Sequence, residues 1–209
     1  RRGMRILQQL EKADTVRRML APRIASKHKA ALGQFMTPST VARFMASMFP
    51  ASTMQTCRLL DAGAGVGALS CAFLDRWVTG GFGFEAVEAT AYEIDGTLHD
   101  HLARHLAGYQ GVTPRTIGDD FIEQVTANDR FAAKRSTGYT HAILNPPYKK
   151  INSQSAHRLA LRRVGIETVN LYSAFVALAV AEAAPSGQVV AIIPRSFCNG
   201  PYYRPFRDF

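Results

Sequence analysis

Cysteine is scarce in this chain: Cys57, Cys71 and Cys198 are the only three among 209 residues. Odd in number and widely spaced, they suggest neither a disulfide framework nor a zinc site. Long apolar runs are missing too. None reaches the ~18–20 residues of a membrane span, and the longest, Leu171 to Ala184, is interrupted by Glu182 and reads as a buried helix. The charged first residues carry no signal-peptide pattern, so the expectation is a cytoplasmic protein with no membrane partner. Acidic residues are few, 16 against 25 Lys and Arg, for a net charge of +9. With 47% hydrophobic residues the chain is nonetheless globular rather than disordered.

The basic excess is uneven. Residues 1–30 hold nine Lys or Arg against two acids, residues 31–144 eight against eleven, and residues 145–209 eight against three. Positive charge at both ends suits a polyanion lying beside a pocket, although solvated helix faces produce the same pattern. The expected organisation is a basic helical segment over 1–30, broken near Pro22, and a single α/β unit over 31–209.

That unit is organised around Asn145-Pro146-Pro147-Tyr148. Tyr139 to Leu144 reads as a buried parallel strand, and two prolines then end it because neither can donate to a ladder. The residue before each proline is held extended, so the turn is stiff and sits at the carboxyl end of a strand, where open α/β sheets bind ligands. The Asn145 side-chain carbonyl and the Pro146 carbonyl are acceptors for the two protons of an exocyclic amino group. An aromatic amine is a poor nucleophile because its lone pair is delocalised, and acceptors drawing on its hydrogens free that pair for attack. Tyr148 offers a face on which a base stacks, worth ~1–3 kcal/mol. The structural alternative is a rigid turn with a surface tyrosine.

Upstream, Cys57 to Asp61 is a strand leading into Ala62-Gly63-Ala64-Gly65-Val66-Gly67, with a helix from Ala68 to about Trp77. Strand, glycine turn and helix form the nucleotide-cradling unit of doubly wound folds. The glycines run G-x-G-x-G behind an acid, which repels a pyrophosphate but welcomes an ammonium; a dinucleotide binder is therefore disfavoured. Ala86 to Ile94 is the second strand, and Glu93 at its end is placed for ribose hydroxyls, with Asp95 capping a helix over Gly96–Gly108. That helix carries His99, His101 and His105 without the Glu of a zinc motif, so it reads as a solvated face and no metal is expected. Asp120 and Phe121 follow a third strand and suit an adenine, or else Asp120 caps a helix. Thr37 or Ser39 caps an earlier helix with Pro38 in its first turn. Lys149 to Arg163 reads as a polar, basic, mobile loop that contacts phosphate. Asn170–Ala184 is a helix, Pro185–Gly187 a turn and Gln188–Ile193 a fifth strand.

Five motifs thus occur in order: Gly33-Gln-Phe-Met-Thr-Pro38, Asp61 to Gly67, Tyr92-Glu-Ile-Asp95, Gly118-Asp-Asp-Phe121 and Asn145 to Tyr148. Over residues ~30–209 the chain resembles the N6-adenine DNA methyltransferases of restriction-modification systems, and the motif order is similar to their gamma subgroup. The resemblance implies a doubly wound, mostly parallel Rossmann-like sheet that binds S-adenosylmethionine. It implies that Phe35, Thr37 and Pro38 hold the carboxylate end of that cofactor. It assigns Asp61, Gly63 and Gly65 to the methionine part, Glu93 and Ile94 to the ribose, and Asp120 and Phe121 to the adenine, with Asn145 beside them. Asn145, Pro146 and Tyr148 would be catalytic, and Pro147, Tyr148 and Tyr203 (or Tyr202) would grip a base flipped from double-stranded DNA. Family members carry two further strands and a target-recognition domain, so the expectation is a core incomplete at its C-terminus and served by a separate or missing recognition domain. An RNA or protein-glutamine methyltransferase, or a catalytically incomplete binding fragment, remains the alternative. Cytosine-carbon methylation is disfavoured because none of the three cysteines follows a proline as that chemistry requires.

Overall fold

A computed structural model describes residues 8–24, 36–127 and 138–195. The expected site residues Phe35, Tyr202 and Tyr203, together with Cys198, lie outside the described residues. Five parallel strands form one sheet in the order β3-β2-β1-β4-β5: β1 is Thr56–Ala62, β2 Ala86–Tyr92, β3 Val112–Ile117, β4 Tyr139–Leu144 and β5 Ala183–Ala191. The helices are α1 (Gln8–Ile24), α2 (Ser39–Ser47), α3 (Ala68–Val78), α4 (Gly96–Leu106), α5 (Phe121–Ala127), α6 (Ala156–Arg163) and α7 (Leu171–Ala181). Among the described residues no helix is long and apolar enough to cross a membrane.

Strand alternation builds two cores. Cys57 and Leu59 of β1, with Ile143 of β4, face a cluster shared with Phe73 of α3, Leu102 of α4, Leu10 of α1 and Phe49. Leu60 and Ala62, with Ala142 and Leu144, face the opposite cluster with Phe121 and Ile122 of α5 and Phe175 and Leu178 of α7. Both central strands are therefore apolar on both faces, as parallel strands covered on both sides must be, and each buried leucine contributes about 1.5–3 kcal/mol. The chain moves outward from β1 through β2 to β3, then crosses to the other side of β1 to form β4. Its direction reverses between β1 and β4, and the crevice outside their carboxyl ends is where such sheets take ligands.

Several local expectations are corrected. Pro22 does not break α1, because it lies in the last turn, where the missing N–H costs only a terminal bond. Neither Thr37 nor Ser39 caps α2: Pro38 is its N-cap residue, and the Ser39 N–H donates instead to Asp14 Oδ1 of α1 at 3.2 Å. Burial of Asp14 favours its neutral form, but bonds from Arg17, Arg18 and Ser39 outweigh this and hold it down at about 2. Pro185–Gly187 lies within β5, whose register jumps between the pairs Tyr139↔Ala183 and His141↔Gln188, with Ser186 at φ 63°.

Residues 156–163 are helical rather than loop. The hidden position is Arg158, a buried cation held by Glu167 and the Thr168 carbonyl, and Ser155 caps the helix by accepting from the Arg158 N–H. His105 is no solvated residue either: it is buried, and its Nδ1–H donates to the Val66 carbonyl at 2.7 Å, bracing the glycine turn. Among the described residues no group of three or more His, Cys, Asp or Glu is arranged to hold a metal ion.

His141 of β4 sits among Phe49, Phe73, Phe82 and Phe84, with ring centroids 5.2–6.0 Å away. Burial lowers its pKa from 6.5 to about 4. A base depressed by folding stabilises the native state above its unfolded value, and that stability is lost as pH falls. Thermal melts are expected to show such a loss between pH 6.5 and about 4. The His141→Phe protein, which takes up no proton there, should give a flatter profile relative to the parent.

Candidate active site

The turn after β1 is shaped by three left-handed glycines, Gly63 (φ 76°), Gly65 (φ 58°) and Gly67 (φ 87°). At Gly67 any other residue would be strained by the φ of 87°, and its Cβ would fall 2.8 Å from Leu102 Cδ1, which would have to shift. At Gly63 the added atom would meet Phe175 at 3.6 Å and Pro147 at 3.8 Å, so glycine keeps open the space between the turn and the Pro-Pro corner. Two hollows meet at this residue. The larger, about 360 Å³, is lined by Gly63, Tyr92, Glu93, Ile94, Asp119, Asp120, Phe121, Pro147, Lys149, Ile151, His157, Leu171 and Phe175 among others. The smaller, about 20 Å³, is lined by Met36, Thr37, Gly63, Ala64, Gly65, Leu98 and Asn145 among others.

Most of the sequence-expected residues therefore converge. Gly63, Glu93, Ile94, Asp120, Phe121 and Pro147 share the larger hollow, and Thr37, Gly63, Gly65 and Asn145 the smaller. Pro38, Asp61, Pro146 and Tyr148 line neither. Asp61 is wholly buried; its Oδ2 accepts from the Ser70 N–H (3.1 Å) and hydroxyl (2.6 Å), tying β1 to α3 beneath the turn. Its Oδ1 has no hydrogen-bond partner, and burial pushes the carboxyl up to about 7. Glu93 is also buried, with Oε2 accepting from the Gly65 N–H and Oε1 from the Asp95 N–H, both at 2.8 Å. It fixes the glycine turn against the end of β2.

The Pro-Pro corner is anchored on three sides. Asn145 Nδ2 donates to Thr37 Oγ1 at 3.0 Å. The Tyr148 hydroxyl lies 3.2 Å from both Asn145 Oδ1 and the Ile192 carbonyl, with one proton to divide between them. Pro146 and Pro147 are buried, and the Tyr148 ring is half buried, 6.1 Å from Tyr172. The Asn145 carboxamide is thus held by a donor–acceptor pair, with its acceptor oxygen on the tyrosine side.

The walls of the larger hollow are aromatic: Phe121 contacts Tyr92 (4.9 Å) and Phe175 (5.1 Å). Asp120 caps α5, accepting from the Glu123 N–H at 3.0 Å, and pairs with His157 Nε2 at 3.1 Å. Sequence reading missed Phe175 and His157. The first lies in a helix apolar on every side, so nothing in its pattern marks the pocket face. The second lies in the stretch taken for a loop, where Ser155 before Arg158 was the available helix-start signal.

The sheet order, with a glycine turn after β1 and a proline turn after β4, defines a Rossmann-like α/β fold. Solved structures agree on the fold. A modification subunit ascribed to a type I restriction enzyme of Vibrio vulnificus superposes with TM-score 0.69 at 16% identity, over 95% of this chain and 43% of that one. A class I S-adenosylmethionine-dependent methyltransferase of Listeria monocytogenes gives 0.65 at 15% identity, over 96% and 60%. Residues 70–209 match the Eco57I restriction-modification methylase family, and the chain belongs to it. It is 47% identical over 206 residues to the type II methyltransferase M.BsuBI of Bacillus subtilis, covering 95% of this chain and 40% of the relative. It is 39% identical over 202 residues to M.PstI of Providencia stuartii, covering 93% and 39%. The chain thus spans about 40% of the length of these curated relatives.

Proposed function

We propose that this chain is the cofactor-binding and methyl-transferring core of an enzyme that methylates the N6 amino group of adenine in double-stranded DNA, as the modification activity of a restriction-modification system. The observation that carries the reading is the position of the Pro-Pro corner: Asn145 borders one hollow and Pro147 the other, and the two meet at Gly63. The residues present suit S-adenosylmethionine. The buried Asp61 Oδ1, without a hydrogen-bond partner, lies one strand residue from the turn and favours a cationic group nearby, Gly63 keeps Phe175 and Pro147 clear of the turn, and the hollow beside Phe121 suits a purine.

When bound, S-adenosylmethionine supplies an electrophilic methyl group. The protein's part is to bring an amino nitrogen in line with it, mostly a matter of positioning. Asn145 Oδ1 and the Pro146 carbonyl accept the two amino hydrogens, and the Tyr148 ring stacks on the everted base, offsetting the few kcal/mol that flipping costs. Thr37 holds the amide of Asn145 so that its oxygen remains the acceptor. In this reading Pro38 would wall the carboxylate end of the cofactor and Glu93 and Ile94 the ribose; Phe35 and Tyr203, assigned to the cofactor and to the base, lie outside the described residues. We place base-sequence recognition in a separate target-recognition domain, in keeping with the greater length of the relatives. Lys150 and Arg163 are the phosphate contacts in this reading; Arg158 and Arg162 are already engaged by Glu167.

Transfer of tritiated methyl groups to duplex DNA, RNA and glutamine-containing peptide, with digestion of the labelled product, tests this. Label in N6-methyladenine is expected; label only in RNA or peptide overturns the choice of acceptor. Tyr148→Ala is expected to lower turnover about tenfold or more, the loss of one stacking contact, with cofactor affinity nearly unchanged. Tyr148→Phe keeps the ring and should retain most activity. Equal losses of cofactor affinity and turnover in Tyr148→Ala would contradict the stacking role.

A further inference from the structure

His157 is not accounted for by the proposed chemistry, yet it lines the larger hollow and reaches Asp120 from a different helix. Asp120 Oδ1 is committed to the Glu123 N–H and its Oδ2 to His157 Nε2. The two oxygens offer four acceptor sites, and with a further backbone bond from Ile122 three of them are taken, so one remains for a ligand. With donors fixed by both α5 and α6, the carboxylate is locked in rotation beside the cavity that it lines. We infer that His157 is a positioning residue for the adenine end of the pocket, locking Asp120 as an ionised acceptor that selects a 6-aminopurine over a 6-oxopurine ring. This inference rests on the cofactor reading above and deepens it.

The selection follows from polarity. An ionised carboxylate only accepts, so it welcomes the exocyclic amino group of adenine and is left opposed to the oxygen of hypoxanthine. A site whose buried polar group is left unpaired discriminates strongly. Without His157 the carboxylate keeps only backbone bonds from its own helix, Glu123 and Ile122, and Oδ2 loses its fixed partner from α6. The charged groups facing His157 are Asp120 and Glu123 from α5, the latter at 3.9 Å, and Lys149 from the segment before α6; Asp119 and Lys150 line the same hollow. The bond to Asp120 raises the His157 pKa above 6.5, against burial and Lys149. Asp120, penalised by burial, is nonetheless lowered by His157 and by backbone bonds. The charge-assisted form of the lock is therefore present below the raised His157 value and gives way to a weaker neutral Nε2–H bond as pH rises through it.

Calorimetry with S-adenosylhomocysteine and S-inosylhomocysteine, at about pH 6 and about pH 9, tests this on the wild-type protein, His157→Ala and His157→Gln. The wild type is expected to prefer the adenosyl ligand, and to prefer it less at the higher pH. His157→Ala should lose about tenfold of the preference at the lower pH, the worth of one charge-assisted bond. Its preference should no longer depend on pH. His157→Gln, whose amide still donates, should restore part of the preference without the pH dependence. Asp61 also titrates in this range, in the opposite sense for an ammonium ligand, but it affects both ligands alike and cancels in the ratio. A His157→Ala protein with wild-type preference and profile overturns the inference alone. A wild type that binds neither ligand overturns the cofactor reading and the inference with it.

Discussion

Replacing Asn145 with alanine is expected to lower single-turnover methyl transfer by about 10²–10³-fold, the loss typical of removing one preorganised polar group from a reaction centre. The expected cost in folding is small by comparison. The side chain is only partly buried, and what it gives up includes the bond to Thr37 and a share of the Tyr148 proton. Asn145→Asp makes the decisive contrast, because it keeps an acceptor on the tyrosine side while the Thr37 hydroxyl turns from acceptor to donor. It should retain more activity than the alanine protein. Rapid-quench measurement with labelled cofactor gives the rates, and calorimetry separates them from cofactor affinity. A rate for Asn145→Ala within a few-fold of the parent would remove the side chain from the chemistry.

Glu93→Ala should act mainly through the fold, and through the site as a result. Both of its oxygens hold partly buried backbone N–H groups, of Gly65 and Asp95. Losing the two bonds costs roughly 1 kcal/mol each. For a chain of this size that corresponds to about 4–8 °C in Tm. Cofactor affinity should fall with it, since the glycine turn loses the strut that sets its height above β2. Glu93→Gln should fall between, because its carbonyl serves one N–H while its amino group opposes the other. Differential scanning calorimetry beside cofactor titration checks both. An unshifted Tm with affinity lost would mean that Glu93 serves the ligand alone.

What could be read from the residues was mostly where the chain punctuates itself. Gly63, Gly65 and Gly67 mark a turn because only glycine tolerates those angles at such close quarters, and Pro146-Pro147 ends β4 because proline cannot continue a ladder. Strand β4 was legible as a short, mostly apolar run ahead of the prolines, and β1 as the strand leading into the glycine turn. The misreadings share a cause: a polar side chain doing a structural task whose partner lies far away in sequence. Arg158 fills a core position of α6, which makes a helix look like a solvated loop, because Glu167 neutralises it. His105 appeared to be one of three similar histidines until Val66 was seen to meet it, and Ser39 appeared to be a cap until Asp14 took the bond. The same limit applies to the site. Asp120 was legible as an acid after a strand, but the histidine that engages it was not, because nothing in sequence couples residue 120 to residue 157.

The bond from Ser39 to Asp14 carries a consequence for residues that never approach the ligand hollows. Asp14 clamps α1 onto the start of α2, and Thr37, two residues earlier, reaches across to Asn145. Removing the Asp14 carboxylate alone would leave Leu10 and Ala13 of the same helix in the core yet slacken the strap that reaches Asn145. Trimming the chain into that helix would instead lower the melting temperature and the ordering of residue 145 together, because the apolar side chains leave with the clamp.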